Sequence, residues 1–552
     1  MSNNLFWNGL YLKIKKNSVI VVPIIFLVLA ILIHFSNGKF FLLNTDPEYF
    51  HLFNGLNMSI FNLAVEYIDH PGTTVQVLFA VSAHIVNLLF PGTDIISNAL
   101  NHPEAFIHGA NILLNTCIAM ALFILGYKTY QYSGNLLLSL LLQLTPFFSI
   151  RVLIISGRII PESVLIVPIL LLILLIIKYI YDKNEKLNNR KYVLAFAIIG
   201  GLGMATKLFY LPFLIIPLFL LQTKQSRWKY LFYTAIATFI FAFPLFVNFG
   251  KSWTWYTNML LHSGKWGSGD ANIIDLSEIP NRLQQIFYTD RVFFIITGLA
   301  IVQLILFFSL KILKNKTQVS LLLKRALLAV ITTIIIFGLF VTKHFAHHYI
   351  IPILVLKAFV VFLMASLLIE IIELKNIRRY ISMAAILIAV LLIIPQLKQL
   401  STSVHFKQSQ AAKFEERFNL LNTYNQKENT LIISTHYRGA PFIQAAMAGG
   451  VMLSGHLRST FKYQLSEKYP NTFLFVTWSD QFYFWDEFLD ANEFIDPKKP
   501  VYIYIGEGKD MHLEIILKRI NDAFPSFSAE LKVLNHFTEP EAYFYELKLN
   551  RR

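Results

Sequence analysis

The sequence predicts a mainly α-helical fold: a polytopic transmembrane helical bundle of about 11 spans with interfacial helices, followed by a small soluble α/β domain at the C-terminus. Over 552 residues the composition is 55% hydrophobic and only 15% charged, whereas a soluble domain is about a quarter charged. Apolar runs of about 20 residues, the length that crosses a bilayer, recur as far as residue 397. Beyond them, β-branched apolar runs alternate with amphipathic stretches.

The N-terminal apolar run predicts the first span. It covers residues 18–33, follows the cationic side chains of Lys13, Lys15 and Lys16, and precedes no small-residue cleavage site. We therefore interpret it as an uncleaved transmembrane helix rather than a removed signal peptide. The predicted spans are 18–36, 105–127, 134–150, 160–181, 191–205, 207–222, 229–249, 290–312, 323–342, 349–372 and 379–397.

The apolar segment 72–91 decides the topology. If it crossed the membrane, every later loop would change sides and the basic loops would face outward, against the positive-inside rule. Its polar residues favour a helix in the membrane interface; they are Thr73, Thr74, Gln76, Ser82, His84 and Asn87. The resulting topology has the N-terminus inside and the C-terminus outside, with a long outer loop at 37–104.

The membrane also explains the basic charge. The formal charge is +15, and the cations cluster in short loops between spans, as cytoplasmic loops do beside an anionic leaflet. Nucleic acid is therefore not an expected partner. The single cysteine, Cys117, lies in an apolar run, and one cysteine excludes an intramolecular disulfide.

Two domains follow from these patterns: a transmembrane domain at 1–399 and a soluble extracytoplasmic α/β domain at 400–552. In the second domain, apolar β-branched runs predict buried strands, and amphipathic stretches predict helices. The strands are expected at 430–434, 472–477, 501–505 and 542–549, and the helices at 442–448 and 511–520.

Ionisable residues beside the spans fall on the outer face in this topology, which indicates function because such groups are costly at membrane depth. Asp46, Glu48 and Tyr49 follow the first span, and a carboxylate there can act as a general base toward an attacking hydroxyl. The alternative is an Asp-Pro turn in which Asp46 caps the next helix. Asp69 and His70 precede the interfacial segment, where the alternative is again a cap followed by a turn.

Two cations and another carboxylate mark further positions on this face. Arg158 is placed to contact an anionic group, and Glu162 opens the fourth span. The alternative for Glu162 is ordinary helix-start chemistry, because a proline precedes it. Lys207 lies between two short spans, the first interrupted by glycines, so we expect it to face a polar cavity or a phosphate.

The turn at 343–349 is rich in histidine and allows two interpretations. The first interpretation is a metal site, whose ligands would lie on an irregular turn and would include no cysteine. Alternatively, His347, His348 and Tyr349 donate hydrogen bonds to a phosphate at a helix start. The loop 253–282 has aromatic residues beside glycines, and is either a cover that stacks on a sugar or an amphipathic loop resting on headgroups.

The order of these motifs resembles that of the GT-C glycosyltransferases, in particular the protein mannosyltransferase and aminoarabinose transferase branch. The resemblance covers about residues 18–397. Its motifs are Asp46, Glu48 and Tyr49; Asp69-His70-Pro71; Thr206-Lys207; and His348-Tyr349-Ile350-Ile351-Pro352. Two features depart from the family pattern, since Pro47 separates the acidic pair and Gly72 stands where the family has a second proline.

The resemblance implies an enzyme that transfers one hexosyl or pentosyl unit, with inversion, from a polyprenyl-phosphate donor to a lipid, glycan or protein acceptor at the outer face. It implies that Asp46 is the general base, with Glu48 as the second catalytic carboxylate. Lys207 is the first candidate for stabilising the leaving phosphate. The implied substrate-binding residues are Tyr49, Asp69, His70, Arg158, Glu162, Lys207, His347, His348 and Tyr349.

The expected partners are the polyprenyl-phosphate sugar donor, membrane lipid and an acceptor that the sequence does not name. No nucleotide cofactor is expected, since no glycine loop of the nucleotide-binding type is evident. A divalent metal is compatible but not indicated, and no residue is assigned to one. The expected setting is a bacterial inner (plasma) membrane.

Two other classes of protein stay open. A transporter or flippase for lipid-linked sugars would need charged groups within several spans and two related halves. An envelope scaffold would act by binding a partner through its C-terminal domain.

Overall fold

The computed structural model describes residues 18–36, 38–43, 46–181, 190–264, 267–273, 275–309, 317–372, 374–425, 429–435, 443–506, 509–539 and 541–552. Helices account for most of the chain before residue 426. They are Val21–Phe35, Glu48–Ser59, Thr73–Asn87, Ile95–Asn101, Pro103–Ser133, Leu136–Gln143, Ile150–Ile155, Pro161–Val164, Ile166–Tyr181, Arg190–Thr206, Ile215–Leu220, Lys224–Phe241, Pro244–Val247, Phe249–Leu261, Ile279–Thr289, Arg291–Ser309, Gln318–Val341, Ile351–Leu354, Lys357–Ile371 and Lys375–Asn425.

Seven helices within the described ranges are long and apolar enough to cross a membrane. They are Ser18–Phe35, Pro103–Ser133, Pro161–Tyr181, Arg291–Ser309, Gln318–Val341, Ile351–Ile371 and Asn376–Tyr424. The protein is therefore an integral membrane protein with the mainly α-helical fold that the sequence predicts. The count of about 11 spans and the side on which each terminus lies stay predictions.

Two predicted segments form shorter helices than a bilayer requires. The segment 134–150 divides into Leu136–Gln143 and Ile150–Ile155, separated by a 3-10 turn that contains Pro146. The predicted interfacial segment forms the helix Thr73–Asn87, whose 15 residues span about 22 Å, less than the hydrocarbon core.

Some predicted loops lie outside the described residues. These are the basic loops at 182–189 and 310–316, together with Lys265 and Trp266 of the aromatic loop.

Contacts divide the chain into two compact units. The first unit comprises Met1–His34, Ile68–Val75 and Asn111–Thr402, and the second comprises Phe35–Tyr67, Gln76–Ala110 and Ser403–Arg552.

In the first unit, glycines allow two helices to approach closely. Gly201 lies on Arg190–Thr206, and a Cβ atom added to it would be 2.5 Å from the Cβ of Ala237 on the helix Lys224–Phe241. This close packing fixes the position at which the first of these helices ends. Beyond Thr206 the chain turns at Lys207 into an extended conformation, with φ −160° and ψ 139°.

The second unit contains a seven-stranded sheet in the order β4-β3-β2-β1-β5-β7-β6. The strands are β1 (Thr430–Thr435), β2 (Thr472–Val476), β3 (Gln481–Phe484), β4 (Glu487–Leu489), β5 (Val501–Ile505), β6 (Phe527–Thr538) and β7 (Glu541–Arg551). β1 is parallel to both β2 and β5, and the remaining pairs are antiparallel. The predicted α/β character of the C-terminal part is therefore confirmed.

The predicted elements of this sheet domain are all present. Strands β1, β2, β5 and β7 and the helices Ile443–Val451 and Lys509–Ala523 match the expected ranges. Strands β3, β4 and β6, the long helix Arg458–Lys468 and the short helix Ala491–Phe494 were not predicted. In the same unit, every residue of Glu48–Ser59 is buried, and this helix packs against Ile443–Val451.

Candidate functional site

Two of the predicted motifs are joined directly by backbone contacts in the first unit. Pro71 and Lys207 form an isolated antiparallel bridge. Beside it, the Gly72 N–H donates to the carbonyl of Thr206 at 3.2 Å, and the Thr74 hydroxyl donates to Thr206 Oγ1 at 2.7 Å. The turn at 69–72 and the turn at 206–207 therefore form one rigid element.

The side chain of Lys207 is the centre of the site. It is 4% exposed, and its ammonium donates a hydrogen bond to Oε1 of Glu162, which is 1% exposed. The ammonium also lies 4.3 Å from the ring centroid of Tyr349 and 4.8 Å from that of Phe209. A carboxylate and two aromatic faces therefore stabilise a buried positive charge.

Glu162 is held in place by the start of its helix. Pro161 occupies the first helical turn after an extended Ile160, as expected for a residue whose ring fixes φ. The Ser163 hydroxyl donates to the carbonyl of Ile160 at 2.8 Å and accepts from its N–H at 3.1 Å. Glu162 therefore lies in the first turn of a helix and also forms an ion pair with Lys207, so its two interpretations do not exclude each other.

His348 reaches the same carboxylate from the turn at 343–349. Its Nε2 lies 3.9 Å from Oε1 of Glu162, and its ring packs at 4.5 Å from the ring of Tyr349. Partial burial lowers the pKa of His348, although the Glu162 carboxylate acts in the opposite direction. The imidazole is therefore neutral at pH 7 and can donate one hydrogen bond without adding charge.

Asp69 borders this cluster. Burial raises the pKa of Asp69 to about 6, while the positive charge of Lys207 acts in the opposite direction. Its backbone is held by the helix Phe249–Leu261, where Trp255 Nε1 donates to the Asp69 carbonyl at 3.4 Å and the Tyr256 hydroxyl donates to the Ile68 carbonyl at 2.8 Å. The carboxyl group of Asp69 therefore changes charge close to neutral pH.

Further basic and polar side chains lie around the cluster. The charge of Arg158 acts on His348, and His70 follows Asp69 in the turn. His347 Nδ1 lies 3.1 Å from the hydroxyl of Thr289, and burial, followed by the charge of Arg151, lowers the pKa of His347. The site thus offers one buried cation and several polar donors at its edge.

The acidic motif of the first outer loop belongs to the second unit. Asp46 is exposed, whereas Glu48 is fully buried as the first residue of Glu48–Ser59. The N-cap position of this helix is assigned to Pro47, one residue after Asp46, and the alternative that Asp46 caps the helix stays open. The position of Asp46 relative to Lys207 stays a prediction.

Tyr49 is paired with a carboxylate that the sequence interpretation missed. Its hydroxyl donates to Oε1 of Glu104 at 2.9 Å, and the same carboxylate accepts the backbone N–H groups of Phe40 at 2.6 Å and Phe41 at 3.2 Å. Burial, followed by the charge of Glu104, raises the pKa of Tyr49 well above its ordinary value. The Pro-Glu pair at 103–104 is a helix-start signal that could have indicated Glu104.

A second buried ion pair in the first unit was also missed. Lys357 is 1% exposed, and its ammonium donates to Oδ1 of Asp290 at 2.9 Å, to Oδ2 at 3.1 Å and to the Phe148 carbonyl at 3.1 Å. Lys357 falls inside a predicted apolar span, where a lone lysine is itself a signal of function or pairing.

Within the described residues, no group of three His, Cys, Asp or Glu side chains is placed to hold a metal ion.

No protein-family model and no curated protein matches the sequence. Among solved structures, the chain is similar to the crystal structure of ArnT from Cupriavidus metallidurans bound to undecaprenyl phosphate, with 10% sequence identity and a TM-score of 0.42. The similarity covers 95% of this chain and 97% of that chain.

Proposed function

We propose that this protein is an inverting membrane glycosyltransferase that moves a single hexosyl or pentosyl unit from a polyprenyl-phosphate-linked donor to a lipid, glycan or protein acceptor. The reaction takes place at the outer face of a bacterial inner membrane, with the N-terminus cytoplasmic and the C-terminal domain extracytoplasmic. The observation that carries this proposal is the buried Lys207, surrounded by Asp69, Glu162, His348 and Tyr349. Four separate sequence motifs supply these residues.

Lys207 would stabilise the leaving group. As the bond between the anomeric carbon and the phosphate oxygen breaks, negative charge grows on the polyprenyl phosphate. A cation that is already positioned in a water-poor site stabilises such charge most effectively. Glu162 holds the ammonium in place, and neutral His348, with Arg158 nearby, adds hydrogen-bond donors for the phosphate.

Asp46 would act on the acceptor. The acceptor hydroxyl attacks the anomeric carbon, and its proton passes to the carboxylate of Asp46, a step that contributes about 10²–10⁴-fold in known enzymes. Glu48 is the neighbouring carboxylate of the same motif. Asp69 and His70, on the turn bonded to Lys207, are placed to bind sugar hydroxyls.

The test is transfer of label from a panel of radiolabelled polyprenyl-phosphate sugars, in membranes that contain the wild type or Asp46→Asn. Label that reaches a new acceptor with the wild type, and not with an equally abundant variant, supports both the activity and the base. Retained transfer by the variant would remove Asp46 from its role. No transfer from any donor by the intact wild type would refute the transferase.

One observation favours the second candidate, a flippase or transporter for lipid-linked sugars. The ion pair joins Lys357, within the apolar helix Ile351–Ile371, to Asp290 at the start of Arg291–Ser309, and ionisable groups in membrane helices often mark a transport path. Reconstituted vesicles distinguish the two activities, since translocation of a labelled lipid-linked sugar without any covalent product would support the transporter.

A further inference from the structure

Two buried asparagines in the second unit join the first outer loop to the sheet domain. Asn54 and Asn57 are both fully buried on the helix Glu48–Ser59. Asn54 Nδ2 donates to the carbonyl of Leu453 at 2.7 Å. Asn57 Nδ2 donates to the carbonyl of Ser454, and Asn57 Oδ1 accepts the N–H of Leu457 at 2.8 Å.

The same asparagines also organise the loop that follows their helix. Asn54 Oδ1 accepts the N–H groups of Glu66 at 2.9 Å and Tyr67 at 3.2 Å. A single side chain therefore bonds its own loop on one side and the segment 453–457 on the other. Because the side chains of both asparagines are fully buried, breaking these bonds would leave polar groups of Asn54 and Asn57 unpaired.

The segment 453–457 has a conformation that suits this contact. Gly455 has φ +77°, and a Cβ atom added there would be 2.2 Å from the carbonyl oxygen of Ala64. The next residue, His456, donates its N–H to that same oxygen at 3.0 Å. The approach of the two backbones therefore requires glycine at position 455.

An ion-pair network supports the contact from the side. Arg458 Nη2 donates to Oε2 of Glu66 in the outer loop at 2.8 Å, and Arg458 Nε forms an ion pair with Oδ1 of Asp486 in the sheet domain at 3.1 Å. Asp486 lies in the turn between β3 and β4 with φ +111°, a value that is uncommon for a residue with a side chain. The turn is held by Trp485, which is 1% exposed.

We infer that the C-terminal domain sets the rate of transfer by holding the first outer loop in its working conformation, with Asn57 and Gly455 as the principal positioning residues. This inference rests on the proposed function, because the loop helix begins at Glu48 and follows Asp46, the proposed base. Asn57 and Gly455 act through the loop and do not touch substrate. The C-terminal domain thus has a role in the chemistry of the first loop.

Two measurements on the full-length protein test this inference. The first is kcat and KM for transfer by Asn57→Ala, Gly455→Ala and the control Asn521→Ala, which changes an exposed asparagine in the same domain. The second is the distance between spin labels at Leu63→Cys and Tyr463→Cys, in a background where the single native cysteine is replaced by Cys117→Ser. Both labelled positions are exposed and belong to the second unit.

We expect a narrow distance distribution in the wild type and the control, and a broad one in the two positioning variants. kcat is expected to fall by about 10- to 100-fold with KM changed by less than about twofold, since small misplacements of catalytic groups cost rate. Asn57→Ser keeps a hydroxyl that can donate and accept and adds no buried charge, so it replaces Asn57→Ala if that variant does not fold.

Two results would overturn the inference: a broad distribution with the wild-type kcat, or a reduced kcat with an unchanged distribution. An inactive wild type would instead refute the proposed function, and with it the effect on rate. The distance measurement would still decide whether Asn57 holds the loop.

Discussion

Lys207 and Glu162 form an ion pair in which neither side chain is more than 5% exposed. Residues of opposite charge are seldom buried this completely unless each is the partner of the other. The pair joins the start of one apolar helix to the turn after another. Removing either charge therefore tests both the stability of the fold and the proposed phosphate site.

Glu162→Gln is expected to lower both stability and transfer. The buried ammonium of Lys207 would lose its counter-charge, which costs about 3–5 kcal/mol when one member of a buried pair is removed. Transfer per folded molecule should fall about 100-fold, because Lys207 would no longer be held toward the phosphate. Thermal unfolding in detergent, followed by tryptophan fluorescence, measures the first effect and the radiolabel assay measures the second.

Glu415→Gln is the matched control. Glu415 pairs with Lys39 at 2.9 Å, but both side chains are 46% exposed, so its loss should change stability by less than about 1 kcal/mol. Equal losses in the two variants would mean that burial of the Lys207 pair has no special role.

The proposed enzyme should lose activity in acid through Asp69. Burial raises the pKa of Asp69 to about 6, so the carboxylate becomes protonated as the pH falls through 6 and accepts hydrogen bonds from sugar hydroxyls less strongly. When kcat/KM is plotted against pH, it is expected to fall on the acidic side of this pH, with the slope that a single protonation gives. Asp69→Asn should show lower activity and no fall in kcat/KM near this pH. If the same fall persists in the variant, it is caused by the protonation of another group.

The same pKa predicts how stability changes with pH. Because the folded-state pKa of Asp69 lies above its unfolded value of about 3.9, the folded protein holds this proton more tightly. The free energy of unfolding should therefore fall as the pH rises from about 4 to 6. Asp69→Asn should melt at a higher temperature than the wild type at pH 7, and the difference should vanish near pH 4. Melting curves at both pH values decide this.

The sequence indicated four residues that the structure brings together, but it did not indicate how they pair. Asp69, Glu162, Lys207 and His348 stood out because each is ionisable beside an apolar run. The pairing of Lys207 with Glu162 depends on how helices 45 positions apart pack, which no local pattern contains. Glu104 was missed for the same reason, since the backbone N–H groups that it accepts come from 64 and 63 positions away.

In the sheet domain, too, some elements could be predicted from the sequence and others could not. Strands β1, β2 and β5 were predictable because their residues are almost all buried and apolar. Strand β6 lies at the sheet edge, where its residues are mostly exposed and its sequence is mixed. The hairpin of β3 and β4 turns at Trp485 and Asp486 with positive φ, and a Trp-Asp pair is not among the usual hairpin signals such as Asn-Gly or Asp-Gly.

Gly201→Ala is expected to destabilise the first unit. The new methyl group would be 2.5 Å from the Cβ of Ala237 and 2.7 Å from its carbonyl carbon, so the backbones must separate, at a cost of about 1–3 kcal/mol. The shift should also displace Lys207, six residues further along, and reduce transfer. The melting temperature and the transfer rate of the variant measure the two effects.

Gly298→Ala provides the contrast. Gly298 also lies within a helix, Arg291–Ser309, but nothing lies within 4 Å of the position of its Cβ. Alanine there should leave transfer unchanged and stabilise the helix by up to about 1 kcal/mol. If both variants behave alike, close packing at Gly201 does not set the position of Lys207.

The two buried ion pairs should respond differently to complete replacement. Asp290→Ala alone leaves the buried Lys357 without its counter-charge, which costs about 3–5 kcal/mol, whereas replacing both partners of a buried pair by apolar residues often restores stability. We expect Asp290→Leu with Lys357→Met to recover most of the melting temperature and to keep transfer within about threefold, since the proposed chemistry does not use this pair. Glu162→Leu with Lys207→Met should recover stability but no transfer, because the apolar side chains cannot stabilise a leaving phosphate. Loss of transfer in the first double variant, measured per folded molecule, would instead assign Lys357 and Asp290 to the active machinery.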